Sequence, residues 1–295
     1  MTVRNIIARV LICILFFSVT FSGSYAEQKT LLIGLIPEQN IFRQFQRFLP
    51  LTEYLSKRID REVKLTILSR YGDIIDRFSS RNMDGAFFGV LTGYLAIKKM
   101  DVEPSVVPIE LDGSSETFGY IIVRRDSRIE TVNDMKGKVI AFVDRATVRG
   151  YLFPIVYFKR HGIEDIKAFF KEFYFTGSND ASVYAVVDGR ADIGCVKANI
   201  YEAILTRDPT LTKELKIIAS SPLMPLSVLC LKKSLPEDLK SRITEILLNM
   251  KNDEEGKKVL KRMELKGFRR ASMDDFKIVD DIFKELNISP ETYRY

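Results

Sequence analysis

The chain has 295 residues, 46% of them hydrophobic and 28% charged, which is enough apolar material for a large buried core and unlike a disordered or fibrous protein. A formal net charge of +6, with no basic block interleaved with aromatic residues, argues against a nucleic-acid partner. One histidine and three unclustered cysteines leave too few ligands for an ordinary zinc site.

Residues 1–26 read as a cleaved secretory signal, with Arg4 and Arg9, an apolar stretch from Val10 to Phe17, and the small residues Ser24 and Ala26 before the cut. The apolar stretch is well short of the roughly 20 residues that span a bilayer. Cleavage takes the net charge from +6 to +4 and directs the rest of the chain to the periplasm. Cys13 falls within this segment and lacks the Leu-x-x-Cys setting of a lipid attachment.

From Leu31 the expected order is a strand, a helix over Ile41 to Arg58, a strand over Val63 to Leu68, a helix over Gly72 to Ser80, a strand over Gly85 to Phe88 and a helix from Leu91 to Met100. Such alternation predicts a mostly parallel sheet flanked by helices. The segments VEPSVVPIEL and FGYIIVRRD are extended and joined by the turn Asp112-Gly113-Ser114-Ser115; they are expected to be connections between lobes. A second α/β lobe is expected from about Glu130 to Leu205, then the extended SVLCLKK, then an all-helical tail over Pro236 to Met250, Asp253 to Leu265 and Asp274 to Leu286, with Gly267 as a stop. The Lys-rich run Gly256 to Arg270 reads as a solvated helix face.

The layout is written twice. LLIGLIPEQN (Leu31 to Asn40) is echoed by KVIAFVDRAT (Lys138 to Thr147), VKLTILSRYGD by FKEFYFTGSND, and RNMDGAFFGVL by GRADIGCVKAN, at offsets of 107 to 108. Each member of the last pair places an Asp just before a short apolar strand. Few residues are identical, so an ordinary alternation of strands and helices would also give such echoes. Taken as a duplication, they predict two similar α/β lobes, 27–118 plus 226–295 and 119–225, joined by hinge crossings near Gly119 to Arg124 and Pro225 to Leu231. Ligands of open α/β sheets sit beyond the carboxyl ends of the strands, so two facing lobes would clamp a small molecule.

Catalysis is poorly supplied. There is no Walker A pattern, no G-x-G-x-x-G opening a helix and no G-x-S-x-G elbow. His161 precedes Gly162 at a predicted helix end, where it fits the dipole, and Asp73 with Asp76 and Asp274 with Asp275 fit caps and solvated faces. Cys195 and Cys230 lie in apolar strand-like segments and are expected to be small buried thiols. Asp180, Asp144 and Tyr71 are the visible candidates for a base, and none has a partner of obvious role.

Binding is better supplied. The strand VIAFV runs into Asp144 to Gly150 and then a helix, bringing the Thr147 hydroxyl, the Arg149 guanidinium and unpaired backbone N–H groups to one helix start, a setting suited to an anion with Arg149 as a bidentate contact. The same residues also fit a plain helix cap and a surface charge. Gly89, Tyr71, Asn179 and Lys197 stand at the corresponding strand ends, Gly89 opposite Lys197 in the internal echo.

The ordered set of these segments resembles the periplasmic substrate-binding proteins of phosphonate, phosphite and phosphate ABC transporters. The resemblance runs through FLPLTEYLSKRI, SRYGDIIDRF, MDGAFFGVLTGYLA, DSRIETVNDMKGKVIAFVD, GYLFPIVYFKRHGI, GSNDASVYAVVDGRADIG and SPLMPLSVLCLKKSLPEDLKSRI. It implies a type II two-lobed binding protein, monomeric and without a cofactor, that closes on a small anionic ligand and presents it to a permease; the alternative is a sensor that docks on a membrane kinase. It also implies a site of Tyr71, Phe88, Gly89, Thr147, Val148, Arg149, Asn179 and Lys197. Family members typically carry Ser-Thr-Ser-Gly where this chain has Thr147-Val148-Arg149-Gly150, His with an acid at Asn179-Asp180, Asp at Lys197 and Tyr at Phe88, whereas Tyr71 matches. Gaining Arg149 and Lys197 would make the cleft more cationic, which favours an anion without an ammonium group: phosphate, phosphite, a simple phosphonate or an oxidised sulfur anion.

Overall fold

The structure is a computed structural model, and it describes residues 30–295; the expected signal segment lies outside the described residues. The chain opens with β1 (Leu31–Leu35), α1 (Ile41–Ile59), β2 (Val63–Ile67), α2 (Asp73–Phe78), β3 (Gly85–Phe88), α3 (Val90–Lys99) and β4 (Val102–Glu110). The short β5 (Glu116–Thr117) leads to β6 (Gly119–Arg124), β7 (Val139–Phe142), α4 (Phe153–Arg160), α5 (Ile166–Phe169), β8 (Glu172–Phe175), α6 (Asn179–Val187), β9 (Ile193–Lys197), α7 (Ala198–Arg207) and β10 (Leu215–Ser220). It returns through β11 (Met224–Pro225) to β12 (Val228–Lys232), α8 (Glu237–Asn249), α9 (Glu254–Arg262), β13 (Leu265–Arg270) and α10 (Lys277–Leu286).

Two mixed sheets result, ordered β13-β4-β12-β3-β1-β2 and β10-β6-β9-β7-β8. In each, a parallel trio (β2-β1-β3 and β8-β7-β9) is followed by an antiparallel strand that enters straight from the crossing, β12 in one and β6 in the other. The doubling extends to single hydrogen bonds. Asp84, before β3, accepts from the Leu32 N–H at 2.9 Å, and Asp192, before β9, accepts from the Val139 N–H at 2.9 Å. The aspartates seen in the sequence echo thus pin equivalent strands.

Two expectations are corrected, and that of two buried thiols holds. β4 and β6 are full members of the two sheets, and the connection between lobes is the two-stranded β5–β11 ladder, with Thr117 opposite Met224 and Glu116 opposite Pro225. β4 holds two prolines inside its ladders, Pro104 opposite Cys230 at an irregular register and Pro108 opposite Phe268. The tail is not all helical, because Leu265–Arg270 adds an edge strand, β13, with Gly267 opposite Ile109. What drives it there is burial: Phe268 packs at 6.5 Å from Phe87. Cys195 in β9 and Cys230 in β12 are free, buried and in different sheets.

Candidate functional site

The carboxyl ends of β1, β3, β7 and β9 converge on a cavity of about 30 Å³ between the two sheets, lined by Glu38, Tyr71, Gly89, Val90, Leu91, Thr147, Val148, Arg149, Gly150, Asn179 and Lys197 among others. Seven of the eight residues expected from sequence are therefore brought together. Phe88 is not: it is fully buried in the core of the first sheet, its ring 6.0 Å from that of Phe78. It is the last residue of β3, and Gly89 directly after it caps α3 and lines the cavity.

Two helix starts meet in this cavity. Gly89 caps α3 from the first lobe, and the Val90 and Leu91 N–H groups lie in its first turn, where no intrahelical acceptor exists. From the second lobe comes a π-turn over Val148–Leu152 that continues into α4, leaving the Val148, Arg149 and Gly150 N–H groups in the same condition. The turn is held tightly. Thr147 donates its hydroxyl to the Asp144 carbonyl at 2.6 Å, Asp144 accepts from the Ala146 N–H at 2.8 Å, and a Cβ on Gly150 would lie 2.4 Å from that of Val143.

Arg149 is buried, and its guanidinium is turned to the hinge rather than offered as a fork. Nε and Nη2 donate to the Thr117 carbonyl at 3.3 Å, and Nη2 also donates to the Met224 and Pro225 carbonyls, the latter at 2.6 Å. Nη1 makes no hydrogen bond among the described residues. Burial pushes the guanidinium down to about 10, which leaves it charged at neutral pH.

Asn179 is fully committed. Its Nδ2 donates to the Glu38 carbonyl and to the Tyr71 hydroxyl, both at 2.9 Å, and its Oδ1 accepts from the Lys197 N–H at 2.8 Å. Asn179 therefore positions the cleft and has no N–H left to donate to an anion. Tyr71 keeps its own O–H, because burial and then the Glu38 carboxylate push it well above the usual phenol range. Asp180, considered from sequence as a base, accepts from the Asn40 N–H across the cleft at 3.0 Å.

Lys197 Nζ pairs with Glu38 Oε1 at 2.8 Å. Burial raises the Glu38 carboxyl, but Lys197, then Arg149 and Arg47, outweigh it and the net shift is downward. Burial and Arg149 hold the Lys197 ammonium below its usual range against the pull of Glu38. The ion pair spans the two lobes, and it cancels the charge that Lys197 brings. The cleft is accordingly less cationic than the sequence reading expected.

A family model described as the periplasmic substrate-binding protein of a phosphonate ABC transporter matches residues 33–276. The chain belongs to that family. As a member, this binding protein is the substrate-binding component of an ABC transporter; it acts outside the cytoplasm, serves a membrane permease and is not an enzyme. It is 26% identical over 285 residues to the probable ABC transporter phosphite binding protein of Prochlorococcus marinus, covering 92% of this chain and 95% of that one. It is 27% identical over 280 residues to the phosphonates-binding periplasmic protein of Escherichia coli, covering 91% and 81%. The structure of the P. marinus protein in complex with methylphosphonate shares its fold at a TM-score of 0.78 and 24% identity, covering 88% of this chain and 99% of that one.

Sequence reasoning missed Glu38 in this binding protein. Its signal was the internal echo, which sets Glu38 in the loop after β1 opposite Arg145 in the loop after β7. If one loop faces the cleft, so does the other.

Proposed function

We propose that this protein captures a small phosphorus oxyanion, phosphite or a simple phosphonate, between its lobes and delivers it to the permease. The observation that carries the reading is the meeting of two helix starts, one from each lobe, in a single small cavity with Arg149 as its uncompensated cation. Oriented N–H groups and a positive dipole end favour an anion at such a point. Glu38, the carboxylate that an aminoalkyl ammonium would need, is already engaged by Lys197. The relatives named for phosphite and phosphonates support the same class.

In this reading residues 27–118 with 226–295 form one lobe and 119–225 the other, the β5–β11 ladder is the hinge, and the protein works as a monomer. Residues 1–26 are its secretory signal, and N-terminal sequencing of the exported protein should begin at Glu27. A thermal-shift screen of the mature protein tests the ligand class, because a ligand of the folded state raises the melting temperature by mass action. Phosphite and methylphosphonate should raise it and aminoalkyl phosphonates should not; no shift with any phosphorus oxyanion sinks the reading.

A further inference from the structure

We propose that the Glu38 carboxylate selects the protonation state of the ligand, so that the cleft takes a phosphorus oxyanion carrying one proton, donated to Glu38, and excludes sulfate and sulfonates, which carry none. The inference rests on the cleft being the oxyanion site. It comes from a mismatch of donors and acceptors. The N–H groups of two helix starts and the Tyr71 O–H are donors, all suited to bare oxygens. Against them stands one acceptor-only group, Glu38, whose Oε2 has no hydrogen-bond partner among the described residues while Oε1 is held by Lys197.

The Glu38 backbone is anchored on both sides and its carboxylate is tethered at one oxygen. Its N–H donates to Gln44 Oε1 at 3.0 Å, its carbonyl accepts from the Asn179 N–H and Nδ2 at 3.2 and 2.9 Å, and its Oε1 is 2.8 Å from Lys197 Nζ. In so small a cavity, a tetrahedral anion seated on the Val148–Gly150 turn must also meet this carboxylate. A bare oxygen there faces like charge, whereas a P–OH supplies the missing donor.

The groups facing Glu38 keep it in its acceptor form. Lys197 from β9, Arg149 from the second-lobe turn and Arg47 from α1 are cations that favour the carboxylate, and Tyr71 is a neutral phenol. Charge balance points the same way. With Glu38 and Lys197 cancelling, Arg149 leaves the site one positive charge, the complement of a phosphonate or phosphite monoanion.

Methylphosphonate and methanesulfonate have nearly the same shape and differ by that proton, so calorimetric titration of the mature protein with both is the test. Methylphosphonate should bind at least about 100-fold more tightly. Its affinity should fall about tenfold per pH unit once the solution pH exceeds the ligand's second ionisation. In Glu38→Gln, whose amide can donate to a bare oxygen, the preference should shrink to within about tenfold and the pH slope should vanish. Equal binding of the two ligands by the wild type, or affinity indifferent to that ionisation, overturns the inference while leaving the oxyanion site intact. Failure of methylphosphonate and phosphite to bind at all overturns both. The wild-type comparison and its pH series decide the matter even where Glu38→Gln does not fold.

Discussion

Arg149 Nη2 donates to the Pro225 carbonyl at 2.6 Å, so a residue at the mouth of the binding turn is fastened to one of the two strands that link the lobes. The same guanidinium reaches the Thr117 carbonyl on the other linking strand. One side chain therefore gathers both crossings and the cleft turn, which couples the geometry of that turn to that of the hinge.

Arg149→Ala should lower stability by about 2–4 kcal/mol, because it removes a buried guanidinium that donates to three hinge carbonyls. Arg149→Lys keeps a charge but offers one ammonium where three carbonyls need a planar donor, so most of the loss should persist. Urea unfolding of both variants checks this. Recovery of wild-type stability by lysine would mean that charge alone matters at this position.

Much of the architecture was legible because hydrophobic period and loop chemistry are local. Helix α1 and strand β3 begin where the sequence puts them, and α1 opens on Asn40, whose side chain accepts from the Arg43 N–H at 3.3 Å. β13 was illegible because a segment as short and basic as LKGFRR becomes a strand only through its pairing with β4. At the site, Tyr71, Gly89, Thr147 and Lys197, expected beyond strand ends, all line the cavity. The direction of Arg149 was not, since its partners lie at 117, 224 and 225 and backbone carbonyls leave no mark in a sequence. Glu38 was overlooked because a lone acid in a loop reads as solvated until its partner, 159 residues away, is known.

The matched aspartates give a test of the duplication. Asp84→Ala and Asp192→Ala each remove the acceptor of a strand N–H in a different sheet and should each cost about 1–2 kcal/mol. With no shared partner, the two costs should add to within about 0.5 kcal/mol in the double variant. A marked inequality between the two single variants in urea unfolding would show that the repeated bonds are not equivalent in energy.

Glu38 also predicts a pH dependence of stability. Its folded-state pKa is depressed, so its contribution is present above the unfolded value and is lost as the pH falls through the folded value. Between about pH 7 and about pH 3 the wild type should lose stability relative to Glu38→Gln, which has no proton to gain. Unfolding midpoints measured across that range check the sign; parallel curves for the two proteins would remove Glu38 from the acid limb.

Gly150 makes the last prediction, and its geometry allows a sharp control. A methyl group at this position would sit 2.4 Å from the Val143 Cβ, 2.5 Å from its Cγ2 and 2.9 Å from Thr147 Oγ1, so Gly150→Ala must push the π-turn away from β7. Overpacking of this kind costs about 1–3 kcal/mol. The displaced turn also carries the Val148 to Gly150 N–H groups out of line with the cavity, so methylphosphonate binding should weaken by more than stability alone explains. Val143→Ala in the same chain removes the Cγ2 contact but keeps the closer Cβ contact, and it should restore little of either property. Full rescue by Val143→Ala would put the clash at the valine methyl instead of at the approach of the two backbones, and the turn would then be less constrained than these distances require.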